Sequence, residues 1–193
     1  MIASRAEAVA IGASAGALET LSAILPALPG DYPLPVLVVV HLPPDRKSMM
    51  AELLQNRCRV AVREAEDKEP IEGGVVYLAP PDYHLMVEHD RRLSLSGEEA
   101  VQYSRPSIDV LFETAAEAYG PGLVGVVLTG ANSDGARGLQ AIRRAGGAGV
   151  VQDPATAVAA AMPRAALEAC PDARSMRLEE IAEHLLRLAT SSS

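Results

Sequence analysis

The apolar positions along the chain form short continuous runs that predict strands and longer interrupted stretches that predict helices. The short runs are rich in Val, Ala and Leu, which is typical of parallel strands buried on both faces. Such strands are predicted at 8–12, 35–41, 123–130 and about 148–152. Apolar residues at helical spacing predict helices at about 17–28, 47–56 (behind a break at Pro43-Pro44-Asp45), 106–119, 134–145, behind Pro163 and over 178–189.

The segment from 60 to 96 has a different pattern, with short alternating runs separated by Gly, Pro and Asp. We interpret it as one parallel strand at 75–79 with an antiparallel hairpin beside it. The alternation of strands and helices elsewhere favours a sheet covered on both faces. The predicted fold class is therefore α/β, a doubly wound and mostly parallel sheet with helices on both faces and a small antiparallel hairpin. We expect residues 1–193 to form a single domain.

A glycine-flanked serine follows the first predicted strand. Residues 12–16 read Gly-Ala-Ser-Ala-Gly, the G-x-S-x-G pattern that raises a serine hydroxyl above the edge of a sheet. Ser14 is therefore a candidate nucleophile, which needs a base to take its proton and a group to orient that base. Small residues also let a helix approach a sheet closely, so a packing turn without chemistry is the alternative interpretation.

Two more polar residues stand where a predicted buried strand ends. His41 ends the second strand, and Asp134 follows the strand at 123–130. Because the carboxyl ends of parallel strands share one edge of the sheet, we expect both to converge with Ser14. Ser14 would attack a carbonyl, His41 would transfer the proton, and Asp134 would fix the imidazole tautomer. Backbone N–H groups after Ser14 and around Ala131 are candidate oxyanion donors. The alternatives are a structural role for His41 and a helix cap for Asp134.

The amino-acid composition limits the kinds of partner and the cellular compartment that we expect. The 25 acidic and 17 basic residues give a net charge of -8, which argues against nucleic acid or a membrane surface as the partner. No apolar stretch approaches the ~20 residues of a membrane span. Cys58 and Cys170 are predicted to be free thiols in a reducing compartment, so we expect a cytoplasmic protein. His84, His89 and His184 are expected at the surface or in the hairpin, and their spacing predicts no metal site; no cofactor is expected.

Five segments of the chain occur in an order that characterises a known family. They are IGASAG, VVVHLP, SRPSIDVLFETAA, LTGANSDGARGL and QDPATAVAAAMPRAALE. Together they resemble the catalytic domain of the CheB-type chemotaxis protein-glutamate methylesterases, over nearly the whole chain. The resemblance implies an α/β domain with a triad of Ser14, His41 and Asp134. It also implies hydrolysis of glutamate methyl esters on the helical cytoplasmic region of methyl-accepting chemotaxis receptors, with glutamine deamidation as a second activity.

The chain departs from that family near the expected site. Ala15 and Ala17 stand where the family usually has threonine and glycine, and Ala131-Asn132 stands where it usually has methionine and glycine. Family members commonly carry a receiver domain ahead of the catalytic domain, whereas this chain begins seven residues before its first predicted strand. We therefore expect an enzyme that is constitutively active or regulated by a separate protein.

Two other classes of function stay open from the sequence. A dinucleotide-binding module would place a glycine where Ser14 stands and an acidic residue where His41 stands. A catalytically weak relative that only binds receptors or signalling partners is suggested by the altered Ala131-Asn132 loop. The presence of Ser14, His41 and Asp134 together favours the enzyme, because a binding module has no use for all three.

Overall fold

A computed structural model describes residues 5–42 and 48–191 of the chain. Its centre is a sheet of seven parallel strands, beside which a separate antiparallel hairpin is formed by two others. The strands are β1 (Ala8–Ala13), β2 (Val36–Val40), β3 (Ala61–Glu64), β4 (Val75–Leu78), β5 (His84–Val87), β6 (Leu93–Ser96), β7 (Leu123–Val127), β8 (Ala148–Gln152) and β9 (Arg174–Met176). The helices are α1 (Ala17–Ile24), α2 (Met50–Gln55), α3 (Ile108–Tyr119), α4 (Ala136–Arg144), α5 (Ala161–Ala169) and α6 (Leu178–Thr190).

The order of strands in the sheet is β3-β4-β2-β1-β7-β8-β9, with β1 at the centre. From β1 the chain first builds the sheet toward β2, and it later returns to the other side of β1 as β7. The order therefore reverses between β1 and β7, and crevices that hold active sites form at such a reversal, outside the carboxyl ends of the strands. The hairpin is β5 with β6. This architecture confirms the predicted fold class.

The central strand is buried on both faces because helices cover both sides of the sheet. Val9 and Ile11 belong to a core that includes residues of α1, α2 and α6. Ala8 and Ala10 belong to the opposite core, which includes residues of α3, α4, α5 and the hairpin. The small side chains on this second face leave room for α3, which lies in direct contact with β1.

Gly12 is the point of closest approach between β1 and α3. A Cβ atom at this position would lie 2.4 Å from Cγ2 of Ile108, which is fully buried in the first turn of α3. Real Cβ atoms do not come this near to another side chain, so any larger residue would displace the start of the helix. Gly12 thus allows the N-terminus of α3 to sit against the carboxyl end of the central strand.

Two strands differ from the sequence-based prediction. Residues 61–64 form β3, a parallel edge strand paired with β4, where the sequence had predicted a single parallel strand in this segment. Its alternating exposure is that of an edge strand, and alternation alone does not distinguish a parallel edge from a hairpin. The three-residue strand β9 was not predicted, because two of its three residues are exposed and no apolar run marks it.

The helix boundaries also shift by a few residues. α1 ends at Ile24 and continues as a short 3₁₀ turn, α3 begins two residues after Pro106, and α5 begins two residues before Pro163. α2 begins at Met50, and the predicted break at Pro43-Pro44-Asp45 lies outside the described residues. Among the helices described, none has the length and apolar character needed to cross a bilayer.

Candidate active site

The three candidate residues follow three adjacent strands of the sheet. Ser14 comes directly after β1, His41 directly after β2, and Asp134 lies in the loop after β7. Backbone hydrogen bonds extend the sheet just beyond the strands: the His41 N–H donates to the Ala13 carbonyl at 3.2 Å, and the Ser14 N–H donates to the Thr129 carbonyl at 2.8 Å. The sheet therefore fixes the backbones of Ser14 and His41 at one edge, as the strand pattern predicted.

The serine stands in a tight turn between β1 and α1. Ala17 donates its N–H to the Ser14 carbonyl at 2.9 Å, and Gly16 adopts a left-handed conformation with φ of 83°. A glycine takes this conformation without steric cost. Ser14 is half-buried, and its hydroxyl has no hydrogen-bond partner within residues 5–42 and 48–191. The hydroxyl is thus available to a ligand at the edge of the sheet.

His41 and Asp134 are in direct contact. The Nε2 atom of the imidazole lies 2.7 Å from Oδ2 of Asp134, whose side chain is 2% exposed. The same carboxylate accepts hydrogen bonds from the backbone N–H groups of Ile108 and Asp109 at 2.7 and 2.9 Å, and from the Ser107 hydroxyl at 3.2 Å. These donors form the N-terminus of α3, where free N–H groups and the helix dipole favour an anion.

This environment keeps Asp134 ionised. Burial alone would raise the pKa of its carboxyl group, but the hydrogen bonds from His41 and from the two N–H groups of α3 outweigh burial and lower that pKa below its ordinary value. An ionised carboxylate only accepts hydrogen bonds, so the proton between the two side chains belongs to Nε2 of His41. In the neutral imidazole, Nδ1 then carries no proton, and its lone pair makes it the basic atom.

Asp109 occupies the matching position at the N-terminus of α4. Its Oδ1 atom accepts hydrogen bonds from the N–H groups of Gly135 at 3.0 Å and Gly138 at 2.7 Å. The sequence had offered Asp134 as a cap for the helix that follows it, and this interpretation was wrong in its choice of helix. Asp134 holds the N-terminus of α3, and Asp109 of α3 holds the N-terminus of α4.

His84 was expected at the surface or in the hairpin, and it lies in hairpin strand β5 but is buried, with 3% exposed. Its Nδ1 accepts the N–H of Ser107 at 3.1 Å, and its Nε2 bonds to the Glu99 carbonyl at 2.9 Å. His84 thereby supports the residue that precedes α3. His89 is exposed after β5, and His184 is half-buried in α6.

The cysteines lie in the body of the fold. Both are free thiols; Cys170 is buried and Cys58 is half-buried. Burial raises the pKa of each thiol, which keeps it protonated and weakly nucleophilic. Neither cysteine lines the cleft beside His41.

A cleft of about 660 Å³ opens beside the imidazole, and its lining includes His41, Asp82, Glu99, Tyr103 and Arg105. Arg105 donates to the Asp82 carboxylate and to the carbonyls of Gly97 and Glu98. It thereby connects the segments before and after the hairpin in the wall of the cleft. Tyr103 is fully exposed at the rim. The cleft is large enough for a side chain presented by another molecule to reach the imidazole.

Two backbone N–H groups near Ser14 are free to bind a ligand. Within the described part of the chain, the N–H groups of Ala15 and Ala131 have no hydrogen-bond partner, whereas the N–H of Gly130 donates to the Ala159 carbonyl at 3.0 Å. Ala15 directly follows the candidate nucleophile, and Ala131 follows the strand that neighbours it. These are the positions at which the sequence analysis expected oxyanion donors.

Comparison with known proteins agrees with this architecture. Residues 9–185 match the CheB methylesterase family. The crystal structure of the Thermotoga maritima CheB methylesterase catalytic domain superposes with a TM-score of 0.90 at 32% sequence identity, covering 96% of this chain and 100% of that one.

Relatives with assigned names point the same way. An Archaeoglobus fulgidus protein named protein-glutamate methylesterase/protein-glutamine glutaminase is 38% identical over 182 residues, which cover 93% of this chain and 52% of that protein. A Leptospira interrogans protein that carries the same name in provisional form is 50% identical over 182 residues, 94% of each chain. The chain thus spans nearly all of one relative and about half of the other. With the family match over 9–185 and the close structural agreement, the chain belongs to the CheB methylesterase family.

Proposed function

We propose that this protein hydrolyses the methyl esters of glutamate side chains, with Ser14, His41 and Asp134 as its catalytic triad. The observation that carries the proposal is the 2.7 Å contact between His41 and the buried Asp134 at the edge of the sheet where the Ser14 turn stands. Relatives named as protein-glutamate methylesterases supply the substrate class. The alternative of a binding module without catalysis is not favoured.

The reaction proceeds by acyl transfer. Ser14 Oγ attacks the ester carbonyl while Nδ1 of His41 takes its proton, and the imidazolium that forms is stabilised by the ionised Asp134. The N–H groups of Ala15 and Ala131 bind the oxyanion, a contribution of roughly 3 kcal/mol for each donor. As the tetrahedral intermediate collapses, the imidazolium gives its proton to the departing methoxy group, and methanol leaves.

Hydrolysis of the acyl-enzyme regenerates the site. A water molecule attacks the glutamyl ester of Ser14 as His41 takes a proton from it, and the second collapse returns that proton to Ser14 Oγ. The products are a glutamate side chain and the free enzyme. The same steps applied to a glutamine side chain release ammonia in place of methanol, which is the second activity in the names of the relatives.

The proposed substrate is the helical cytoplasmic region of methyl-accepting chemotaxis receptors, so the enzyme would work in the cytoplasm. The free thiols of Cys58 and Cys170 suit a reducing compartment. We further propose that residues 1–193 act as one domain, because the family match and the single seven-stranded sheet together span most of the chain.

Release of methanol from methylated receptor by the purified protein tests the proposal. We expect release by the wild type and none above background by Ser14→Ala. Ser175→Ala is the matched control, because Ser175 is exposed in β9 at the edge of the sheet. A fluorophosphonate probe should label the wild type and Ser175→Ala but not Ser14→Ala. Equal methanol release by the wild type and Ser14→Ala would refute the proposal that this protein is an esterase with Ser14 as its nucleophile.

A further inference from the structure

Asn132 reaches the basic nitrogen of the candidate site. It is exposed in the loop after β7, two residues before Asp134, and its Nδ2 lies 3.4 Å from Nδ1 of His41. Its Oδ1 accepts the backbone N–H of Asp134 at 3.0 Å. The side chain therefore connects the loop of the acidic residue with the side of the imidazole opposite to Asp134.

The orientation of the Asn132 amide follows from these contacts. The oxygen and nitrogen of an asparagine amide look nearly alike, so their assignment depends on the hydrogen-bond network. The backbone N–H of Asp134 is only a donor, and it requires the amide oxygen on its side. The NH₂ group must then face His41, where Nδ1 is the acceptor because Nε2 donates to Asp134. All three contacts are satisfied by one assignment of protons.

We propose that Asn132 is a positioning residue that holds the Nδ1 lone pair of His41 in the resting site until the Ser14 hydroxyl takes its place. The proposal rests on the proposed function for the identity of the nucleophile. Ser14 Oγ has no hydrogen-bond partner among the described residues, and in the proposed mechanism its proton goes to the same Nδ1 atom that the amide faces. At 3.4 Å the amide contact is longer than most hydrogen bonds, and exchange for the hydroxyl is correspondingly cheap.

The amide has two physical effects on the imidazole. A donor on Nδ1 opposes the arrival of a proton there, so it favours the neutral ring that acts as a base. It also fixes the ring from the side opposite to the Asp134 contact, so that rotation about the Cβ–Cγ bond is limited at both nitrogens. A glycine at this position would supply neither effect.

Other charged and titratable groups surround His41, and all of them stay the same when only Asn132 is changed. On the side of α3 and α4, Asp134 contacts the imidazole, and Asp109 and Arg137 are charged neighbours of Asp134. On the side of the cleft they are Asp82, Glu99, Tyr103 and Arg105. A difference between the wild type and an Asn132 variant therefore reports the amide itself.

The test is an NMR titration of the His41 imidazole nitrogens in ¹⁵N-labelled protein, which requires no substrate. Asn132→Asp keeps an oxygen for the Asp134 N–H but replaces the donor on Nδ1 with an acceptor, so we expect the titration midpoint of His41 to rise by about one pH unit or more. Asn132→Ala removes the donor on Nδ1 without adding a charge, together with the acceptor for the Asp134 N–H, and should raise the midpoint by a smaller amount. Asn56→Asp, at the exposed end of α2, adds the same charge and should leave it within ~0.2 pH units.

The pH profile of kcat/KM gives the second readout. The acidic limb should move with the imidazole titration, so that kcat/KM of Asn132→Asp falls by up to roughly tenfold at pH values below the limb, while Asn132→Ala recovers the wild-type rate at higher pH. An unchanged midpoint in both variants would overturn the proposal. If the acidic limb of the kcat/KM profile stays in place while the imidazole titration moves, the proposed role of Asn132 in catalysis is overturned. Should the wild type release no methanol at all, the proposed function fails, and the titration still decides whether Asn132 holds the nitrogen.

Discussion

The N-termini of α3 and α4 each hold a buried carboxyl group from another segment of the chain, yet the pKa values of the two groups shift in opposite directions. Asp134 lies against the N-terminus of α3 and is 2% exposed, and Asp109 lies against the N-terminus of α4 and is 1% exposed. Each accepts hydrogen bonds from two backbone N–H groups. Burial raises the pKa of Asp109 to about 6, and the nearby charge of Asp134 adds to that rise. The pKa of Asp134 is lowered.

The difference lies in the additional donors. Asp134 also accepts from His41 and from the Ser107 hydroxyl, while Asp109 accepts, among the described residues, from the N–H groups of Gly135 and Gly138 alone. A helix N-terminus is therefore not enough to offset the burial of a carboxylate in this fold, and the imidazole contact decides the outcome. Asp134, the residue proposed for catalysis, is therefore the one whose ionised form is stabilised. Asp109 instead holds the loop before α4 through its contact with Gly135.

The largest effect is expected from Asp134→Asn. The amide offers an NH₂ group or a neutral oxygen to the imidazole in place of an anion, so neither the tautomer nor the imidazolium is held. We expect kcat/KM for methanol release to fall roughly 10³- to 10⁴-fold, as for the loss of the acid in other triads. Asp109→Asn is the matched control, with activity within about fivefold of the wild type at pH 7. A fall of less than tenfold in Asp134→Asn would contradict the distinction between the two carboxylates.

Gly12→Ala should disturb the α3 site while leaving the α4 site in place. The new Cβ would lie 2.4 Å from Ile108 Cγ2, so the first turn of α3 must move. We expect a loss of about 2 to 3 kcal/mol in the free energy of unfolding, measured by urea denaturation, together with reduced activity. Gly97→Ala is the control, because among the described residues no heavy atom beyond its chain neighbours lies within 4 Å of its added Cβ. In the double variant Gly12→Ala, Ile108→Ala the loss should be smaller than the sum of the two single losses, and additive losses would refute the steric explanation.

Asp109→Asn should change how stability depends on pH. Because the folded pKa of Asp109, about 6, is above its ordinary value of 3.8, the native state binds the proton more tightly than the unfolded state. The wild type therefore loses stability from this group as pH rises from about 4 to about 6, and asparagine does not. Between pH 4 and 7 the stability of the variant relative to wild type should increase by about 1 to 2 kcal/mol. A constant difference across this range in urea denaturation would show that Asp109 does not titrate there.

The smallest effect is expected from Ser107→Ala. It removes one of the donors to Asp134, at 3.2 Å, and leaves the His41 contact and both N–H groups intact. We expect kcat/KM to fall about two- to fivefold, because the contact is long and the three other donors to the carboxylate remain. A loss as large as that of Asp134→Asn would mean that the hydroxyl, and not the imidazole, secures the charge of the carboxylate.

The sequence pattern predicted the parts of this arrangement that depend on strands. Continuous apolar runs placed β1, β2, β7 and β8, and the shared edge of parallel strands brought Ser14, His41 and Asp134 to one region of the sheet. The triad itself stays a prediction until the variants are assayed. The family resemblance and the fold class are confirmed.

The exchange of carboxylates between α3 and α4 was beyond prediction because it joins segments far apart in the chain. Asp109 looks like an ordinary first-turn acid of its own helix, and only the packing of α3 on α4 turns it toward Gly135 and Gly138. His84 lies in the hairpin, one of the two predicted locations, but its burial was not predicted, since a histidine in an alternating strand gives no sign of a partner at Ser107. The sequence does show an acid two positions after Ser107 and another just before Gly135. Such positions indicate helix caps, but they do not indicate which helix each acid caps.

The central position of β1 sets the order in which the site can be completed during synthesis. β1 pairs with β2, which follows it closely in the chain, and with β7, which begins only at Leu123. A nascent chain that has emerged as far as the hairpin already carries Ser14 and His41, but it lacks Asp134 and the strand that delivers it. Chain segments fold as they leave the ribosome, and distant pairings form late. Esterase activity would then be a property of the closed sheet alone, and an unfinished or unfolded chain would present a serine with no working base.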